Sequence, residues 1–299
     1  MSSQVPAAPL PVAPAVRGRS RRFRPRRLAG RIGINLLGLL VFVVMVFPVY
    51  WMVITAFKPG VDIQSYTPKF IPHPATLQNF TDAINRPYFW TVVKNSLIVV
   101  VIVTFLSLLL AFLASLALAK FRFYGRGAFV GTVIVVQMVP LTALIIPLYI
   151  LLSRVHQVDK LSGVIITYLT FVLPFCIWTL RGFMLGVPQE LEEAAMVDGS
   201  TRFGAFVRIL LPLIAPGLVA TSIFAFIQAW NEYLVAYVLL SSPEKQTITV
   251  WLAGFTTLRG TDWGALMAAA TLTSLPVIVF FVLVQRWVAF GLTAGAVRA

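Results

Sequence analysis

Six long apolar stretches, near residues 32–57, 92–119, 128–152, 162–181, 209–240 and 263–288, recur along the 299-residue chain. Each has at least the roughly 20 residues that a helix needs to cross a hydrocarbon core. Hydrocarbon offers no water to pair with free N–H and C=O groups, so stretches of this length and composition must bond within themselves as helices. The expected fold class is an all-α integral membrane protein with six transmembrane helices. Composition agrees, since 59% of residues are hydrophobic and 11% are charged, against about a quarter charged in soluble domains.

The net charge of +14 could suggest a nucleic-acid partner. The basic residues are instead parcelled out between apolar runs, which fits orientation in a bilayer and no nucleic acid. Arg17, Arg19, Arg21, Arg22, Arg24, Arg26, Arg27 and Arg31 stand directly before the first run. That run is too long for the core of a cleaved signal and no convincing small-residue cleavage site follows, so it reads as a retained signal anchor. Assigning loops alternately puts two-thirds of the 24 basic residues on the side of the N-terminus, including Lys120, Arg122, Arg126, Arg181, Arg202 and Arg208. The expected topology is multi-pass in a bacterial-type plasma membrane, with both termini cytoplasmic. Residues 1–31 form a basic extension expected to be disordered, residues 32–288 a six-helix domain with a cytoplasmic loop at 182–208, and residues 289–299 a cytoplasmic tail.

Catalysis finds little support. The chain has no Gly-x-x-x-x-Gly-Lys-Ser/Thr phosphate loop, no His-Glu-x-x-His and no Gly-x-Ser-x-Gly. The expectation is no catalytic residue and no metal site: His73 lies between two prolines in a surface turn, and the single cysteine, Cys176, reads as packing within an apolar run.

Three polar or aromatic clusters stand out against this background. The first follows Pro188, where Glu190, Glu192 and Glu193 meet the positive end of a helix dipole. A short helix is expected there, then a turn at Asp198-Gly199 able to adopt positive φ, then a second helix. The second is Gln228-Ala-Trp-Asn-Glu-Tyr233 in the fifth run, including Trp230, Asn231 and Glu232. A mid-span carboxylate is costly, so Glu232 faces protein, water or an interface, and the cluster either hydrogen-bonds helices together or borders a translocation path. The third comprises Trp251, Phe255 and Trp263, which read as an interfacial belt or a docking surface for something outside. Pro140, Pro147, Pro174 and Pro276 favour kinks within the spans.

The spacing Glu193-Ala-Ala195, three residues, Gly199, nine residues, Ile209-x-Leu-Pro212 resembles the cytoplasmic signature of binding-protein-dependent ABC importer permeases. Asn95-Ser96, Val187 to Gly199, Leu211 to Pro216, Trp230-Asn-Glu232 and the tail Gly291-Leu-Thr-Ala-Gly-Ala-Val-Arg298 extend the resemblance to the carbohydrate-uptake subgroup of the maltose-permease G-subunit type, over about residues 32–299. The resemblance implies a type I ABC importer permease fold. It also implies a role as the membrane subunit of an ATP-driven sugar importer, with a di- or oligosaccharide as cargo. Its partners would be a second homologous permease, an ABC ATPase dimer and an extracytoplasmic solute-binding protein. ATP and Mg would be bound by the ATPase and no cofactor by this chain. Glu192, Glu193, Ala194, Ala195, Asp198, Gly199 and Pro212 would belong to a coupling helix seated on the ATPase, with Gly291, Leu292, Thr293 and Gly295 in a tail reaching toward it. The alternative class is an ion-coupled secondary transporter of a polar solute.

Overall fold

The computed structural model describes the backbone of residues 25–295 and the side chains of residues 33–286. Expectations for residues 1–24 and 296–299, and for the side chains of tail residues such as Leu292 and Thr293, lie outside the described residues. The described part divides into two units between Val49 and Tyr50.

The helix that crosses this division, α1 (Pro25–Ala56), begins inside the extension expected to be disordered. The correction has a local cause. Proline is preset for the first helical turn, and its missing N–H is one that a helix start leaves unpaired anyway. Up to Val49 the described side chains of α1 are exposed and apolar from Ile34 onward, with Gly38 and Asn35 the exceptions. Such a surface suits hydrocarbon rather than water.

The second unit continues with two short helices, α2 (Gly60–Ile63) and α3 (Gln78–Asn85), and then the long α4 (Phe89–Lys120). After α5 (Arg126–Met138) and α6 (Leu141–Arg154) comes α7 (Leu161–Leu185). The core is built where α4 packs on α7 and α10 (Leu211–Asn231) packs on both, with α13 (Trp263–Gly295) against α10 and α3. One stripe of α4, Val92, Ser96, Val99, Val103, Ser107, Ala111, Ser115 and Leu118, is buried at spacings of three and four. Its small and β-branched side chains let the backbones approach closely. Facing it, α7 buries Val164, Tyr168, Val172, Cys176, Leu180 and Met184 every fourth residue. Cys176 is thus packing, as expected.

Two of the expected spans are not single helices. The third apolar run splits into α5 and α6, bent by 101° at Val139–Pro140. A residue before proline is pushed out of the helical region and proline has no N–H to donate, so both changes fall at one point. Among the described residues five helices are long and apolar enough to span, or six if this bent pair counts as one. The fifth run breaks after Asn231, and the short α11 (Leu234–Leu239) follows. Pro147, Pro174 and Pro276 lie inside continuous helices. Between α12 (Ile248–Ala253) and α13 a two-residue antiparallel ladder pairs β1 (Thr256–Thr257) with β2 (Gly260–Thr261).

Candidate functional site

The polar loop folds as the helix-start chemistry suggests. Helix α8 (Glu190–Val197) is followed by a turn and by α9 (Arg202–Ala205). Gly199 closes α8 with φ +90°. There the Ser200 N–H donates to Ala195 O (2.9 Å) and the Gly199 N–H to Met196 O (3.1 Å), the two bonds of a Schellman stop, which wants glycine at this position. Thr201 caps the next helix by accepting the Gly204 N–H at 3.0 Å. The sequence reading passed over this residue, although a threonine just before a helix is a recognised start signal.

The loop sits on a firm seat. A π-helical segment, Phe206–Leu210, joins α9 to α10. Pro212 explains it: proline in a helix cannot donate and crowds the carbonyl four residues back, and a widened turn relieves both. Met184, Leu210, Ile214 and Ala119 form a small buried cluster of their own, with Phe112, Leu116 and Phe206 packed against it. This ties α7, α10 and the end of α4 together beneath α8. A cavity of about 300 Å³ between α8 and the end of α4 is lined by Lys120, Glu192, Met196 and Phe206, among others. Across it the Lys120 ammonium pairs with the Glu192 carboxylate, both partly buried.

The predicted residues therefore divide. Glu192 and Ala195 are the half-buried side of α8, while Glu193, Ala194 and Asp198 are exposed, as is Pro212 in α10. Val197 and Phe203, unremarked in the sequence, are 87% and 75% exposed beside them. Lys120→Ala should leave Glu192 without its cation in a partly buried place, an imbalance worth about 1–3 kcal/mol. Chymotryptic cleavage in 182–208 of the purified chain should then accelerate roughly tenfold, and Glu192→Ala added to Lys120→Ala should restore part of the resistance. Unchanged cleavage would show that the pair does not hold the loop.

At the other end of the bundle the second cluster does not share one face. Gln228, Asn231 and Tyr233 are exposed, whereas Trp230 is buried and stacks on Phe226. Trp230 lines an apolar cavity of about 520 Å³ with Trp90, Leu275 and Phe280, so it is set apart from the polar residues it adjoins in sequence. Glu232 does structural work. It turns the chain out of α10, and its carboxylate accepts the Val235 and Ala236 N–H groups at 2.9 and 3.2 Å, capping α11. Its carbonyl accepts from Thr249 at 2.8 Å and from Tyr168 at 3.3 Å. That network is why the fifth run breaks where it does.

The third cluster is also corrected. Trp251 and Phe255 are buried, Trp251 against Phe89 and Phe255 at ring separations of 5.5 and 4.9 Å and hydrogen-bonded through Nε1 to Pro87 O at 2.9 Å. The Arg86 guanidinium lies 3.8 Å above Phe255. Of the three aromatics only Trp263 is exposed. Asn95 and Ser96 hold the neighbouring segment down: Asn95 Nδ2 donates to Glu244 O and Gln246 O at 2.9 and 3.1 Å, and Ser96 Oγ accepts the Ile248 N–H at 2.7 Å.

One polar device at this end was invisible in the sequence. Asp159, at φ +56°, accepts the Ser241 and Ser242 N–H groups at 3.0 Å, the Ser242 hydroxyl at 2.6 Å and the Lys245 ammonium at 2.7 Å. Partial burial alone would raise its pKa, but the bonds from Lys245 and Ser242 outweigh it and hold the carboxyl well below the usual carboxylate range. A depressed folded pKa means that this clamp stabilises fully above about pH 4, the ordinary aspartate value, and fades as pH falls further. Asp159→Asn should lower the melting temperature at pH 7 by roughly 2–4 °C, the shift about 1 kcal/mol gives at this size. It should also flatten the loss of stability below pH 4. A variant that melts like the wild type across pH 3–7 would refute the clamp.

Known proteins provide the frame for these features. The chain is 45% identical over 273 residues to the diacetylchitobiose uptake system permease protein of Streptomyces coelicolor, covering 91% of this chain and 99% of that protein. Its fold matches a chain in the structure of a bacterial ABC transporter involved in import of the acidic polysaccharide alginate, with a TM-score of 0.72, 22% identity, and 88% and 97% of the two chains covered. A second structure, the alginate transporter in complex with a pentasaccharide-bound periplasmic protein, matches at 0.62 with 16% identity over 89% and 96%. The fold is that of a type I ABC importer permease. With residues 107–293 matching the same family, and the Glu193 to Pro212 signature folded as a helix, a glycine turn and a second helix, the chain belongs to the binding-protein-dependent transport system inner membrane components.

Proposed function

We propose that this chain is the permease subunit of an ATP-driven importer that takes a di- or oligosaccharide from an extracytoplasmic binding protein and passes it to the cytoplasm by alternating access. The observation that carries the reading is α8, a short helix with an exposed face of Glu193, Ala194, Val197 and Asp198, packed on α9 and the π-helical segment and tied to the end of α4 by the Lys120–Glu192 pair. A helix held this way moves with the spans as one piece, so a closing ATPase dimer can tilt them. The related Streptomyces permease, named for diacetylchitobiose, supports a small saccharide as cargo.

In this reading the 182–208 loop and both termini are cytoplasmic, as the distribution of Lys and Arg favours. A separate ATPase pair binds ATP and Mg, and a second homologous permease completes the path. The tail residues Gly291, Leu292, Thr293 and Gly295 extend toward the ATPase. Gln228, Asn231 and Tyr233 are the members of their cluster left to border the path, with Glu232 holding the break beside them and Trp230 excluded. Trp263 remains for contact with the binding protein.

Single-cysteine variants test the docking. In a Cys176→Ala background, Ala194→Cys and Val197→Cys should crosslink to a co-purifying ATPase subunit, while Tyr237→Cys at the other end should not. Absence of any ATPase, or equal crosslinking from Tyr237→Cys, would overturn the assignment.

A further inference from the structure

Among the described residues, α4 and α13 each pack on α10 and hardly on each other. Between them, in the half of the bundle away from the Lys120–Glu192 pair, lies the apolar cavity of about 520 Å³. Its floor is a run of near-parallel rings. Phe226 stacks on Phe280 with centroids 4.0 Å apart and on Trp230 at 5.9 Å, with 6° between the planes in both pairs. Its walls, Trp90 and Leu97 of α4 and Leu275 and Leu283 of α13, are exposed, so the cavity is a groove open at the surface of the bundle.

Three observations narrow what fills it. The lining gives water almost nothing to bond to, and an empty groove would forfeit dispersion contacts along its walls. The part contributed by α13 runs from Leu272 to Leu283, or about 16 Å at a helical rise of 1.5 Å per residue, close to half of the roughly 30 Å hydrocarbon core. A helix of that length occupies roughly 1,200–1,800 Å³, more than twice the volume of the groove, whereas a single hydrocarbon chain fits lengthwise. The third observation concerns charge. Lys94 is exposed on α4 between Trp90 and Leu97, and among the described residues no carboxylate pairs with it. A lysine near the end of a span carries its ammonium toward the interface, where lipid phosphates supply the missing anion.

We infer that this groove holds one acyl chain of a resident anionic phospholipid, in the leaflet away from α8, with its phosphate paired to the Lys94 ammonium. Trp90 lies at the level of the headgroup, where an indole with an apolar body and a polar N–H is at home. The chain fills the gap that α4 and α13 leave in front of α10, whatever solute the protein moves.

The test uses the complex purified through this chain in nanodiscs of phosphatidylcholine, with increasing mole fractions of phosphatidylglycerol whose acyl chains are dibrominated and so quench tryptophan on contact. Dibrominated phosphatidylcholine is the control and should quench in proportion to its mole fraction. Phosphatidylglycerol should be preferred about fivefold, the factor one lysine supplies near a membrane surface, so that half of the quenching is reached near a mole fraction of about one-sixth. Trp90→Phe should remove a large part of this early quenching. Lys94→Gln should return the half-point to that of phosphatidylcholine. Leu275→Phe with Val279→Phe should fill the groove and abolish the early component. All these side chains are exposed, so melting temperatures should be unchanged; were the filled variant to melt early, Lys94→Gln alone would decide. Equal half-points for the two lipids in wild type, or an early component that survives Lys94→Gln, would overturn the site. Crosslinking of Val279→Cys, in a Cys176→Ala background, to another protein chain of the complex without early quenching would overturn it in favour of a subunit interface.

Discussion

Gly199→Val should abolish most ATP-driven transport, by tenfold or more, while leaving unchanged the amount of protein in the membrane and the amount of the proposed ATPase that co-purifies with it. The reason is confined to the backbone. Gly199 sits at φ +90°, and a Cβ built there meets nothing within 4 Å, so valine clashes with no neighbour. It loses about 1–2 kcal/mol from the left-handed conformation alone, and its β-branch tightens the restriction. The chain can escape only by opening the Schellman turn, which re-aims α8 relative to α9 and to the seat below. Asparagine tolerates the left-handed region better, so Gly199→Asn should keep most of the transport. Initial uptake rates in proteoliposomes, normalised to protein content, check this. Equal rates for valine and wild type, or equal losses for asparagine and valine, would mean that turn geometry is not what couples.

Gly163→Ala should damage folding itself. Near the start of α7, a Cβ on Gly163 would lie 2.1 Å from the backbone oxygen of Gln157. A side chain can swing aside, but this oxygen belongs to a tight turn between His156 at φ +53° and Asp159 at φ +56°, in which the Gln157 N–H also bonds to Leu152 O at 2.8 Å. Relief requires moving the α6–α7 connection, and overpacking of this kind costs about 1–3 kcal/mol or more. The same turn carries Asp159, so its clamp on Ser242 and Lys245 would be pulled out of register. Detergent-solubilised Gly163→Ala should melt several degrees lower and yield less folded complex. A melting temperature equal to wild type would contradict this packing.

How far the sequence could be read follows from which interactions are local. The spanning helices α1, α4, α7, α10 and α13 follow from runs of apolar residues, and α8 with its glycine stop from capping chemistry within a dozen residues. The breaks were harder. Hydropathy is nearly continuous across Pro140 and high again after Glu232, so a period-based reading carries each helix through, although Pro140 had at least been marked for a kink. What ends α10 is the Glu232 carboxylate reaching forward to two N–H groups and its carbonyl reaching Thr249 and Tyr168, bonds that composition does not reveal. Trp251 and Phe255 illustrate a different limit. Aromatics of an interfacial belt and aromatics of a core have the same sequence, and it is partners contributed from more than 150 residues away, the Phe89 ring, the Pro87 carbonyl and the Arg86 guanidinium, that decide that these two are buried. The Asp159 clamp depends likewise on partners brought together by the bundle.

The central claim is that ATP hydrolysed in a partner subunit moves a saccharide through this chain by way of α8. The most direct measurement is uptake of a labelled di- or oligosaccharide by right-side-out vesicles that hold the complete complex and loaded binding protein, with either internal ATP or an imposed proton or sodium gradient and no nucleotide. Uptake that requires hydrolysable ATP, and that falls in Gly199→Val while hydrolysis continues, is the expected result. Uptake driven by the ion gradient without nucleotide would contradict the account and favour an ion-coupled transporter.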